Sequence, residues 1–148
     1  MSRISGGGGT VLAELLHEVQ HDTFLFPEDT NETVTCTAAA ANTWLTWTEL
    51  VDNNAVTFSS KLATTEGHIS AFVVETVTAN GEIYLVEISY GGSKVNIARV
   101  RLYGGAVPKQ ESRVFSDKIP AGETVYYRAK CSAGGPASLT AHLRYHFH

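Results

Sequence analysis

RVFSDKIPAGETVYYRAKC, Arg113 to Cys131, is the stretch whose reading decides the fold. Pro120 has a preset φ and no N–H, so it ends an incoming strand, and Gly122 takes the positive φ that such a corner demands. After the corner, Val125, Tyr127, Ala129 and Cys131 fall on one face and Tyr126, Arg128 and Lys130 on the other, the period-2 pattern of a half-buried strand. The stretch therefore reads as two strands meeting in a hairpin at Ile119–Glu123.

Working outward, the plan repeats. Strand patterns run over Thr33–Ala39, Thr43–Val51, Ala55–Leu62, His68–Thr78, Glu82–Tyr90, Lys94–Tyr103, Arg113–Lys118, Thr124–Cys131 and Ser138–Phe147. Asn80-Gly81 is the signal of a type I′ hairpin, and Gly91-Gly92, Gly104-Gly105 and Gly134-Gly135-Pro136 mark three more turns. Eight or nine short strands separated by turn signals specify an all-β chain, an antiparallel β-sandwich of jelly-roll type. The last strand is the clearest, with Leu139, Ala141, Leu143, Tyr145 and Phe147 alternating with Thr140, His142, Arg144, His146 and His148.

Residues 1–22 differ in kind from residues 23–148, the sandwich. Ser5 to Gly9 is a flexible arm by composition. Thr10 then caps one short α-helix from Val11 to about His21, with Val11, Leu12, Leu15, Leu16 and Val19 forming an apolar stripe. So short a helix is marginal alone in water, so the stripe is assigned to assembly, against its own domain or copies of itself. The start lacks the apolar segment of a secretory signal, which makes intracellular synthesis the expectation, and no apolar run approaches the roughly 20 residues of a membrane span.

At 148 residues the chain is long enough for a core without disulfides or metal. Hydrophobic residues make up 43% and charged residues 18%, within the ordinary globular range. Cys36 and Cys131 stand in no metal-type spacing and read as buried free thiols. The net charge of −4 hides an asymmetry: residues 1–92 carry twelve acids against Arg3 and Lys61, and residues 93–148 carry nine Lys and Arg against Glu111, Asp117 and Glu123. Interleaving of strands from the two halves would neutralise them, and acidic-to-basic contact between subunits is the alternative. Basic residues scattered singly over strands, with a pI of about 5.8, argue against a nucleic-acid partner.

Three sets of residues carry chemistry by type. His17-Glu18-Val19-Gln20-His21 is a literal H-E-x-x-H, which in zinc peptidases puts two imidazoles one turn apart with a Glu to activate water. A third ligand would have to come from the strands, where His68 and Glu66 qualify by residue type. His146 and His148, with His142 nearby, share a strand face and are the second metal candidates. The preferred reading of the first is a chance match of a short pattern and of the second a solvated or inter-subunit face, with no cofactor. Trp44 and Trp47, three apart, would point to opposite faces of a regular strand, one into the core and the other outward, as an ordinary half-exposed Trp before an interface anchor or a sugar-stacking platform. No phosphate loop, G-x-S-x-G elbow or paired CxxC is present, so no enzymatic activity is expected.

The order of segments also resembles a family. A Leu/His-rich helical head (Leu12 to His17) is followed by Phe24 to Pro27, then an Ala-rich run into a Trp segment (Ala38 to Trp47). After these come an Ile-Tyr-Leu-Val-Glu-Ile strand leading to Gly-Gly, the Ile119-Pro120-Ala121-Gly122 corner and a Tyr-Arg-Ala-Lys strand. In this it is similar to small β-sandwich structural proteins of tailed bacteriophage virions, of the head-decoration or tail-accessory type. The resemblance implies a non-catalytic structural protein, located in the virion after assembly in the host cytoplasm and docked on capsid or tail subunits. A homo-oligomer, most naturally a trimer, follows if arm and helix anchor it. A tail or fibre module binding a host glycan through Trp44 or Trp47 is the alternative, and a zinc peptidase on His17, Glu18 and His21 stands behind both. The resemblance assigns no functional residues.

Overall fold

Alternation along the chain becomes two sheets. The structure, a computed structural model, describes residues 23–105 and 110–148. The arm and the helix expected over Val11–His21 lie outside the described residues. Within them run nine strands: β1 (Phe24–Phe26), β2 (Val34–Thr37), β3 (Thr48–Glu49), β4 (Gly67–Val77), β5 (Glu82–Tyr90), β6 (Val95–Gly104), β7 (Gln110–Arg113), β8 (Val125–Cys131) and β9 (Ser138–Phe147). A 3-10 helix, Phe58–Leu62, separates β3 from β4.

All pairings between strands are antiparallel. The first sheet has the order β1-β9-β4-β7, with β2 also on β9, and the second has the order β3-β8-β5-β6. β1 and β2 lie end to end along β9, β2 against Ser138–Ala141 and β1 against Leu143–Tyr145. Together they act as one broken edge strand, which makes the order that of a double Greek key jelly roll.

The inner faces carry the core. In β8, Val125, Tyr127, Ala129 and Cys131 are buried, and opposite them on β5 lie Tyr84, Val86 and Ile88. From the first sheet, Phe72, Val74, Leu139, Ala141, Leu143 and Tyr145 face them. Phe58 closes one end, edge-on to Phe26 and Tyr145 at 5.3 and 5.2 Å between ring centroids. Each large apolar side chain so buried contributes about 1.5–3 kcal/mol.

Four expectations are corrected. Ile119–Glu123 joins no hairpin: β7 lies in the first sheet and β8 in the second, so the corner is a crossing between sheets. Residues 114–118 form no strand, although Val114 and Ser116 donate N–H bonds to Ser70 and Ile69 and Ile119 bridges Gly67, continuing the edge of β4. At Gly122, φ is +79° and its N–H donates to Leu62. Asn80-Gly81 likewise crosses from β4 to β5; only Gly81 has positive φ, whereas a type I′ turn needs both residues there. The hairpin is at Gly91-Gly92, between β5 and β6.

Ala55–Leu62 is the third correction. The Asp52 carboxylate accepts the N–H groups of Asn54 and Val56 at 2.9 and 2.8 Å, and the Thr57 hydroxyl accepts that of Ser60. Such local bonds compete with a strand ladder and here produce a turn and a 3-10 helix. Fourth, the strand expected over Thr43–Val51 shrinks to Thr48–Glu49. Asn42 adopts φ +52°, and outside the Thr48–Glu49 pairing residues 42–50 follow β8 through scattered bonds such as Leu45 N–H to Ala129 and Leu50 N–H to Val125.

Candidate functional site

Two constellations stand on the outer faces. On the first sheet, antiparallel register sets His68 of β4 directly opposite His146 of β9. His148, two residues further, falls on the same side as His146. One ligating nitrogen from each of the three lies within 4.8 Å of the others. The rings of His68 and His146 stand 4.9 Å apart, those of His68 and His148 4.0 Å, and Nε2 of His68 meets Nε2 of His148. His146 is buried, His68 half-buried and His148 exposed.

The surroundings of this cluster are held by backbone bonds. His68 Nδ1 lies 3.0 Å from the carbonyl oxygen of Ser116, which can only accept, so Nδ1 carries the proton. Ser116 is itself buried; its hydroxyl accepts the N–H of Ile69 and donates to the Asp117 carbonyl. His148 N–H donates to the Glu66 carbonyl at 2.9 Å, and the Glu66 carboxylate pairs with Lys118 at 3.3 Å.

His142, expected near His146 and His148, goes elsewhere: its Nδ1 faces Glu75 at 3.2 Å. His68 was a residue-type candidate only for the H-E-x-x-H motif, and its place opposite His146 could not be read from spacing. His17, Glu18 and His21 lie outside the described residues, as do Val11, Leu12, Leu15, Leu16 and Val19.

The second constellation covers the outer face of the second sheet. Trp44 and Trp47 do not point to opposite faces and neither enters the core, because their segment is irregular rather than a strand. Both stand 4.6 Å from the Arg128 guanidinium, which therefore occupies one face of each indole. Lys130 lies over Trp44 at 4.8 Å and Lys94 over Tyr126 at 4.0 Å.

Beneath them, Glu87 is buried and bound by Arg128 at 2.6 Å, Arg99 at 2.8 Å and Asn96 at 2.8 Å. Burial pushes the Glu87 carboxyl up, but the hydrogen bonds from Arg128 and Arg99 with the charge of Arg128 outweigh it and hold it below the ordinary carboxylate value. Arg101 and the cross-strand pair Ile83 and Tyr103 extend this face. Next to it, Asn42, Ile83, Leu85, Arg101, Lys130 and Ser132 line a shallow recess of about 180 Å³.

No protein-family model matches the sequence, and no curated protein is similar to it in sequence. A solved structure described as that of infectious bursal disease virus Gx strain is similar to this chain, with a TM-score of 0.42 and 11% identity. The alignment covers 85% of this chain and 32% of that one, so the chain spans about a third of the length of that relative. Likeness at this level carries no information about function.

Proposed function

We propose that this chain is a non-catalytic structural protein of a virus particle, of the tailed-phage decoration type that its sequence resembles. The observation that carries the reading is the outer face of the second sheet. Trp44, Trp47, Tyr126, Arg99, Arg101, Arg128 and Lys130 stand together there, and aromatic residues with Arg are the residues enriched at protein interfaces. Glu87 and the two indoles fix the Arg128 side chain in advance, which lowers the entropy lost on docking.

In this reading, residues 1–22 anchor the protein to capsid or tail subunits and to its own copies, as a trimer or another symmetric ring, and the basic-aromatic face seats a neighbouring virion protein. The test is mass spectrometry of purified particles from the virus encoding the chain, with light scattering of the isolated protein. Stoichiometric presence in particles and a defined oligomer are expected. Absence from particles, or a monomer that does not bind them, overturns the reading.

A further inference from the structure

We propose that His68, His146 and His148 form a binding site for one divalent transition-metal ion, with zinc the best match. The inference goes beyond the structural role proposed above and does not depend on it.

The site is built by the fold. Cross-strand register delivers His68 to His146, and the strand period delivers His148 to the same face. Three imidazoles with an open fourth position form a recurrent zinc donor set. Imidazole nitrogens bound to one tetrahedral zinc stand about 3.3–3.4 Å apart, given Zn–N bonds of about 2.0–2.1 Å. The nitrogens here already lie within 4.8 Å of one another, so side-chain rotations alone can bring them to that spacing.

Tautomer chemistry points the same way. Ser116 fixes the proton of His68 on Nδ1, so in the neutral ring Nε2 presents a lone pair to the cluster. A ring N–H held by a backbone carbonyl is the outer-shell arrangement that orients metal-ligating histidines. That lone pair faces Nε2 of His148. A cation held between these two nitrogens would also gain the third ring, that of His146. The bound ion would tie the start of β4 to the end of β9 and leave its fourth position toward solvent beside His148.

The experiment is calorimetric titration of zinc chloride into chelator-stripped full-length chain, repeated on H68A, H148A, H142A and the double variant H17A/H21A. One zinc per chain is expected, retained in H142A and in H17A/H21A and weakened about 100-fold or more in H68A and H148A. Cobalt(II) bound to the wild type should show a tetrahedral spectrum that H148A lacks. Circular dichroism checks folding, and His148, being exposed, can be replaced without disturbing the core. Absence of stoichiometric zinc overturns the site. So does zinc lost in H17A/H21A but kept in H148A, or an equal loss in H142A.

Discussion

Glu87 shows how one residue binds three strands. It lies on β5, takes Arg99 from β6 and Arg128 from β8, and among the described residues is the only charged side chain on that face that is buried. A buried carboxylate deprived of its partners costs several kcal/mol, so the site is stable only with its arginines in place. Since Arg99 remains 73% exposed, the pair with Arg128 carries more of the effect. Glu87→Gln should lower unfolding free energy by about 1–3 kcal/mol at pH 7, measured by urea denaturation. The folded pKa is depressed, so this stabilisation is complete above the unfolded carboxylate pKa and is lost as pH falls through the folded one. The gap between wild type and Glu87→Gln should therefore narrow in acid. Gly67 gives a second residue-scale prediction. A Cβ there would lie 2.6 Å from the His146 carbonyl oxygen and 2.9 Å from Leu62 Cδ2, so Gly67→Ala should cost about 1–3 kcal/mol. At Gly134 a Cβ would meet nothing within 4 Å, and Gly134→Ala should stay within about 0.5 kcal/mol of wild type.

At the scale of elements, the Pro120–Gly122 corner carries β7 of one sheet toward β8 of the other, and Gly122 makes this possible at φ +79°. The nearest atom to an added Cβ there is 3.7 Å away, so the penalty of substitution is conformational rather than steric. Gly122→Ala should cost about 1–2 kcal/mol and Gly122→Asn less, because Asn enters the left-handed region more readily; thermal unfolding of the two variants separates them. The same corner shows where legibility stops. Alternation gives the bounds of Glu82–Tyr90 and Ser138–Phe147 without error, since in each strand apolar core residues alternate with polar or half-buried ones over most of its length. Turn residues, by contrast, report local φ and ψ and not the sheet to which the next strand belongs, so Asn80-Gly81 and Ile119–Glu123 carry hairpin signals although both cross between sheets. Ala55–Leu62 carries a strand pattern yet bends, because the bonds to the Asp52 and Thr57 side chains that turn it are local choices invisible to periodicity. For the site, His146 and His148 were readable as an i, i+2 pair. His68 was not placed with them, because only the register of β4 on β9 brings it there.

Across the whole molecule, topology disposes of the charge asymmetry. β5 from the acidic half lies between β6 and β8 from the basic half, and Glu87, Glu66 and Glu75 meet Arg99 and Arg128, Lys118 and His142 across that division. The sandwich that results is closed beside β2, where Ala38 bridges Ala129 of the opposite sheet. Cys36 in the first sheet and Cys131 in the second are free thiols, both buried in the shared core. Burial pushes the Cys36 thiol far above its ordinary range, and the thiolate is the reactive form. Because both cysteines are buried between the sheets, attack on either requires the sheets to separate. If the two sheets open as one unit, an aromatic disulfide reagent should react negligibly with the native protein, and both thiols should become reactive over the same urea range in which the far-ultraviolet circular dichroism is lost. One thiol reacting at low urea while the other stays protected would mean that the sheet bearing it frays on its own, and would count against a single cooperative core.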